Sequence, residues 1–391
     1  MKKVIVKNFL AKYGDSFFIN IEYKNKSYNI LIDCGFKDTY INYIRKELDN
    51  INTLDLLVLT HIDDDHINGA IELLKDNALK EKMELKNIWF NDLYKIVKNK
   101  FSKHKINSDI YAVDKEEVFS EEIGFKRAKT LSNYIYESKY NDVWNKHKEV
   151  IQCEKMLYEE LYPIDKELKF VLLSPTVNNI EDLLNKWIKE FKIDMNNLVI
   201  DNKILSGFYG YFNYHDRYSE IFNEECSNNK INIEELAEKE FLRNSVENNS
   251  SIAFFIEVDE ERFLFLGDAN SKDIKKSLRQ YKEVKGIERI KFNLVKLSHH
   301  GSKFNIDSEF FELFYSDKYL ISTNGDRHNH PDIECISKIV VKQKEFKKLY
   351  FNYNIKKIIK IFEDEELKKK YNYEIIMPEE NNEITNIEFR F

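Results

Sequence analysis

The feature that most constrains this chain is a junction. Leu54-Asp55-Leu56-Leu57-Val58-Leu59-Thr60 is a short, strongly apolar run that ends directly on His61-Ile62-Asp63-Asp64-Asp65-His66. A run of this length and composition reads as a strand buried on both faces. Ile67 to Leu74 then takes up helical spacing. Strand, polar loop and helix in direct succession form an α/β unit, and such folds place their chemistry at the carboxyl ends of the strands. His61, Asp63, Asp65 and His66 lie one or two residues apart, so on a loop they can face a common point and hold divalent cations. Carboxylates favour Mn²⁺ or Mg²⁺ and imidazoles favour Zn²⁺, so the mixture leaves the metal open between Zn and Mn, with one or two ions. Asp64 is expected to point away or to steady a ligand. A helix-capping Asp explains any one of these residues, but not four at the end of a buried strand.

Further strands are predicted on both sides of this junction. Val4 to Asn8 alternates, Ser16 to Tyr23 follows a Tyr13-Gly14-Asp15 turn, and Tyr28 to Asp33 closes on Cys34-Gly35. Strand signals return at Ser251 to Val258, Phe263 to Leu266, Leu294 to Leu297 and Tyr319 to Ser322. The last three each end in a polar cluster: Gly267-Asp268, Ser298-His299-His300-Gly301-Ser302, and Thr323-Asn324-Gly325 followed by His328-Asn329-His330-Pro331. Between the two groups, helical spacing dominates Leu131 to Tyr162 and Ile180 to Phe191, and Asn232-Ile233-Glu234-Glu235 resembles a capping box. Phe170 to Pro175 interrupts as a strand. The expected organisation is one main domain over residues 1–345 with a helical insertion at about 100–246. A strand/helix extension, 346–391, is expected to pack on the same domain.

Composition excludes several classes. A net charge of −7, from 61 basic and 68 acidic residues, argues against a generally basic nucleic-acid-binding surface, although a local basic groove remains compatible with it. Four widely spaced cysteines, Cys34, Cys153, Cys226 and Cys335, contain no CxxC pair, so neither a disulfide framework nor a zinc ribbon is expected. No apolar run reaches membrane-spanning length, and Lys7, Asn8 and Lys12 break any export-signal core. The expected location is cytoplasmic, with no membrane association.

The motifs together resemble those of the metallo-β-lactamase superfamily. His61-x-Asp63-x-Asp65-His66 is similar to its HxHxDH signature, and closest to the HxDxDH form of the ComEC-type competence protein hydrolase domain. Phe263-Leu264-Phe265-Leu266-Gly267-Asp268 resembles the strand that supplies the family's bridging Asp, Leu297 to Ser302 the HHGS motif, and His330-Pro331 the terminal HP. The resemblance covers roughly residues 1–95 and 245–340. It implies an α/β fold: an αβ/βα sandwich of two mixed sheets flanked by helices, with the large helical insertion beside the site. It implies that His61 and Asp63 hold a first metal, that Asp65, His66 and His300 hold a second, and that Asp268 bridges them. The implied reaction is hydrolysis by a metal-bound hydroxide, most readily of a phosphodiester or nucleic acid. A peptide, amide or ester hydrolase on the same core is the alternative, and a catalytically silent scaffold binding a protein partner through the insertion is a third reading.

Two departures from the family pattern stand out. Asp63 replaces a His, moving the first site towards oxygen ligation. The stretch Val246-Glu247-Asn248-Asn249-Ser250-Ser251 lacks the further His that many relatives carry there. Among the other residues, Asp65 belongs to the catalytic centre. His299 is expected to contact a substrate oxygen or steady His300, with a ligand role as its alternative. His330 is expected to bind substrate or move a proton, with His328 as substitute, and Ser302 and Lys303 are placed to bind a phosphate or oxyanion. Asp15 and Asp33 read as turn-stabilising residues. His104, His147 and His215 read as ordinary surface or packing residues, and Phe208 to Tyr214 as core aromatics, with lining of a substrate entrance or stacking on bases as the alternative.

Overall fold

Side chains along the central strands alternate between two interiors, and that alternation sets the architecture. Leu56 and Val58 join Val4, Val6, Phe17, Ile19, Phe254, Phe263 and Leu294 in a core between two sheets. Leu57 and Leu59 point the other way, onto the helix Asp64–Lys75 through Ile67, Ala70, Ile71 and Leu74. On the second sheet Phe170 and Leu172 face the central core, while Val171 and Leu173 face an outer layer containing Ile274, Leu278, Ile336 and Ile339. A strand that is apolar on both faces can be satisfied only between two packed layers. The result is the expected αβ/βα sandwich.

The computed structural model describes residues 2–91, 95, 96, 99, 130–132, 134–136, 138–154, 156–190, 231–241, 246, 248–379 and 384–391. Most of the expected insertion lies outside these residues, as do His104, His215 and the aromatics Phe208 to Tyr214. His147 is exposed.

The first sheet has six strands in the order Thr385–Arg390, Lys3–Asn8, Phe17–Tyr23, Lys26–Ile32, Leu56–Leu59 and Ile88–Phe90. Its first four strands pair antiparallel and its last three parallel. The second sheet has eight strands, from Tyr373–Ile376 through Lys347–Phe351, Lys318–Ile321, Leu294–Lys296, Glu261–Phe265, Ala253–Val258 and Lys169–Ser174 to Glu159–Leu161. Both sheets are therefore mixed. The C-terminal segment supplies two strands to the second sheet and an edge strand to the first.

One helical expectation is corrected. Residues 138–154 form a short turn of 3₁₀ helix at Lys139–Val143 followed by irregular chain, and Glu159–Leu161 is a strand. Here tertiary hydrogen bonds override local spacing. The Trp144 indole donates to the Phe90 carbonyl at 2.9 Å, and the Asn145 side-chain oxygen accepts from the Phe90 amide at 2.9 Å, covering the end of an edge strand. The helices Val177–Glu190 and Ile233–Glu238 do occur where the spacing predicts them, the latter capped by the Asn232 side chain.

Candidate metal centre

Four loops, each leaving a strand, meet at one edge of the sandwich. His61 follows the strand Leu56–Leu59. Asp63 is the N-cap of the helix Asp64–Lys75 but its carboxylate caps no amide, and Asp65 and His66 sit in that helix's first turn. Asp268 follows Glu261–Phe265, with its amide donating to the Ser251 hydroxyl at 3.1 Å. His299 and His300 follow Leu294–Lys296, and His330 follows Lys318–Ile321.

The two oxygens of Asp268 face different groups. Oδ2 lies 3.8 Å from His61 Nε2 and 3.8 Å from His299 Nε2, and His61 Nε2 lies 3.2 Å from Asp63 Oδ2. Oδ1 lies 3.9 Å from His66 Nε2, which is 4.0 Å from Asp65 Oδ2; that oxygen in turn lies 3.8 Å from His300 Nε2. All six residues expected to hold metal are thus brought together, and His299 joins them.

The donor set fits divalent cations on independent grounds. His61 Nε2, His66 Nε2 and Asp268 Oδ1 are buried with no hydrogen-bond partner among the described residues, a costly state unless a cation satisfies them. The opposite ring nitrogens are occupied. His66 Nδ1 lies 2.9 Å from Asp33 Oδ2 and His300 Nδ1 lies 2.9 Å from the Ser322 carbonyl. The Thr60 hydroxyl donates to Asp33 Oδ2 at 2.8 Å, so it accepts from His61 Nδ1 at 3.0 Å. Three imidazoles therefore carry their protons on Nδ1 and turn Nε2 lone pairs inward, as ligation requires.

Charge is strongly coupled within the cluster. Burial alone would raise the Asp268 carboxyl, yet His299, His66, His61 and His300 hold it well below the usual range. Burial raises Asp65 above the ordinary carboxylate value. Burial opposes protonation of His66, but Asp33, Asp65 and Asp268 draw it well above the usual imidazole value. His299 differs: burial, reinforced by His330, His300 and His328, pushes it down to about 3 despite Asp268. Positive charge is thus attracted to the positions where cations would sit.

Two residues read from sequence as turn formers take part. Asp33 orients His66 and His61 as described. Asp15 is buried and ion-paired with buried Lys296, and its Oδ1 lies 3.3 Å from His300 Nδ1. Asp15, His66, Asp268 and His300 offer donor atoms within 4.8 Å of one another. Gly14 lets this turn approach, because a Cβ there would fall 2.1 Å from the Asp65 carbonyl oxygen.

The cluster opens into a cleft lined by Tyr13, Asp63, Asp65, Asn248, Asp268, His299, His300, Thr323, Arg327, His328 and His330. Ser302 and Lys303 are not brought into it. The Ser302 hydroxyl accepts from the Phe304 amide, and the Lys303 ammonium sits 3.0 Å from Glu334 and over the Phe241 ring. Lys303 is thereby drawn sideways to the helix Ile333–Lys342, while Ser302 caps the short turn Lys303–Asn305. Sequence reading missed Tyr13, Thr323, Arg327 and Lys296. Only Lys296 left a signal, a lysine inside a buried run, which requires a partner.

The two-sheet sandwich with outer helices has the architecture of the metallo-β-lactamase fold, and the His/Asp cluster at its edge is a candidate metal site. In agreement, residues 11–126 match the model of the metallo-beta-lactamase superfamily, a span that includes His61 to His66. Among solved structures, the metallo-beta-lactamase fold protein YhfI from Bacillus subtilis is 11% identical, with 99% of this chain and 100% of that one covered and a TM-score of 0.38. A protein of Parabacteroides distasonis ATCC 8503, provisionally named a metal-dependent hydrolase, is 11% identical, with 85% and 90% covered and a TM-score of 0.32. No curated protein matches the sequence.

Proposed function

We propose that this chain is a metal-dependent phosphodiesterase whose ligands are His61, Asp63, Asp65, His66, Asp268 and His300. The observation that carries this reading is the division of Asp268, one carboxylate oxygen facing each of two donor groups. Divalent cations bound there lower the pKa of water and offset charge on substrate oxygens.

The cleft favours an anion. Arg327 lines it, stacked on Tyr13 with its guanidinium carbon 5.1 Å from the ring centroid, and it makes no carboxylate pair among the described residues. Two divalent cations more than neutralise Asp63, Asp65 and Asp268, so Arg327 adds to a net positive site. A phosphodiester suits that balance better than a neutral ester or amide, and a planar guanidinium matches two phosphate oxygens. His330 also lines the cleft, its ring 5.2 Å from that of His299 and its Nδ1 3.5 Å from Asp332 Oδ2. An imidazole at that position is suited to pass a proton to a leaving oxygen. The net charge of −7 favours a small or single-stranded phosphodiester over a long duplex, whose binding needs many phosphate contacts.

The test offers the Mn²⁺- or Zn²⁺-loaded protein bis(p-nitrophenyl) phosphate, a short single-stranded oligonucleotide, a duplex, an activated ester and a peptide. Phosphodiester cleavage is expected, reduced at least about a hundredfold in Asp268→Ala. Arg327→Ala should raise KM more than it lowers kcat, with Arg327→Lys intermediate. Preference for the ester or peptide over every phosphodiester, or phosphodiester cleavage that survives Asp268→Ala, overturns the reading.

A further inference from the structure

The turn between Leu297 and Ser302 has a backbone that ordinary loops avoid. His299 (φ 48°, ψ 51°) and His300 (φ 56°, ψ 21°) are consecutive left-handed residues, and neither is glycine. Such conformations are unfavourable for L residues and persist where surrounding contacts enforce them. Here the His299 amide donates to the Gly267 carbonyl at 3.0 Å and its carbonyl accepts from the Ser302 amide at 2.9 Å. The effect is that two successive imidazoles, with ring centroids 5.9 Å apart and planes at 65°, both reach the Asp268 cluster. His300 turns Nε2 to Asp65, and His299 turns Nε2 to Asp268 Oδ2.

The donor count is uneven without His299. Among the described residues, the Oδ1 side of Asp268 has three further donors, from Asp65, His66 and His300, whereas the Oδ2 side has His61 and Asp63. The loop Asn248–Ser250, which borders the Oδ2 side, supplies no imidazole. We infer that His299 is itself a ligand of the first cation, completing a four-donor set with His61, Asp63 and Asp268 Oδ2. Four donors is the usual complement of a protein-held zinc ion.

Other features agree with this role. The His299 Nε2 faces Asp268 Oδ2 at 3.8 Å, the same oxygen that faces His61 Nε2. The Asn248 side-chain amide lies 3.5 Å from Nδ1. With its carbonyl turned to an Nδ1 proton, it would leave Nε2 as donor, as Asp33 does for His66. Asn248 is then the positioning residue for His299. This inference rests on the metal-centre reading above and replaces the sequence expectation that His299 contacts substrate.

Metal binding can test this without turnover. Chelator-stripped full-length protein is titrated calorimetrically with Zn²⁺ and with Mn²⁺, and bound ions per chain are measured by elemental analysis. The variants are His299→Ala, His299→Gln, Asn248→Ala and, as a cleft control, His330→Ala, each checked for folding by circular dichroism. Wild type is expected to hold two ions. Both His299 variants should keep one near wild-type affinity and bind the other roughly 10–100-fold or more weakly. Asn248→Ala should weaken the same ion by less, and His330→Ala neither. Folded His299 variants that bind both ions like wild type, or that lose both together, overturn the ligand assignment. Wild type that binds no ion overturns the metal centre itself, a distinct result.

Discussion

Asp33 offers no atom to the converging Nε2 donors, yet it fixes two of them. Its Oδ2 lies 2.9 Å from His66 Nδ1 and accepts from the Thr60 hydroxyl, while its Oδ1 accepts from the Thr60 amide at 2.8 Å. An amide in its place has one oxygen for those donors and turns a nitrogen towards the other. Asp33→Asn should therefore weaken metal affinity about 10–100-fold while leaving the fold intact, measured by competition against a metal-buffering chelator. Unchanged affinity would show that the tautomers are set by something else. Asp15 makes a second case. Lys296 is 1% exposed and paired with an equally buried Asp15, so Asp15→Asn strands an ammonium in the interior. A loss of about 3–5 kcal/mol in urea unfolding is expected, partly recovered in Asp15→Asn/Lys296→Met. Lys296 and His300 outweigh the burial penalty and hold the Asp15 carboxyl well below its usual range. Its contribution is therefore complete above the ordinary carboxylate pKa and is lost as pH falls through the depressed native value.

At the scale of elements, the helix Asp64–Lys75 presents Asp65 and His66 because its backbone lies directly on the loop after Asp33. The Gly69 amide donates to the Gly35 carbonyl at 2.9 Å and the Cys34 amide to the His66 carbonyl at 2.7 Å. A Cβ on Gly69 would sit 2.1 Å from the Cys34 carbonyl oxygen and 2.9 Å from that of Phe36, both main-chain atoms. Gly69→Ala should cost about 2–3 kcal/mol in urea denaturation, against the roughly 1 kcal/mol that alanine's helix propensity would return. A variant as stable as wild type would mean that the helix can lift away from the loop. The strand, loop and helix of this unit were legible in sequence because local apolar spacing is satisfied by the layers that cover it. The cluster's strand-end loops were legible for the same reason. Arg327 was not: an arginine in a polar loop has no local signature, and only the return of the strand Lys318–Ile321 beside Leu294–Lys296 brings its loop to the cleft. Residues 130–132 and 134–136 are helical as the spacing predicts, but from residue 138 on the spacing misled, because it loses to hydrogen bonds with Phe90, a partner more than fifty residues away in sequence.

On the scale of the whole molecule, the chain closes on itself. Thr385–Arg390 pairs antiparallel with Lys3–Asn8 along its full length and forms the outer strand of the first sheet. Ile387 and Phe389 enter the core between the sheets, where Phe389 meets Phe263 edge-on at 5.1 Å and lies under the Lys318 ammonium. Two such side chains contribute about 3–6 kcal/mol, a large part of the 5–15 kcal/mol by which a domain is ordinarily stable. Ending the chain after residue 379 should therefore lower the melting temperature markedly. It would also bare the amides and carbonyls of Lys3–Asn8, whose Val4 and Val6 side chains already face the core. An uncovered edge of that kind recruits other chains, so concentration-dependent association in sedimentation velocity is expected. None of the cluster residues lies beyond His330, the first sheet's proposed ligands leave from Leu56–Leu59, three strands inward from Lys3–Asn8, and Asp15, on the loop after Lys3–Asn8, is held from the second sheet by Lys296. Whatever fraction of the shortened chain remains folded should consequently bind cations with the same stoichiometry as the full chain. A shortened chain that melts with the full one would show that the inter-sheet core closes without its last strand; one that stays folded but loses its ions would show that the sheet edge and the metal centre are coupled.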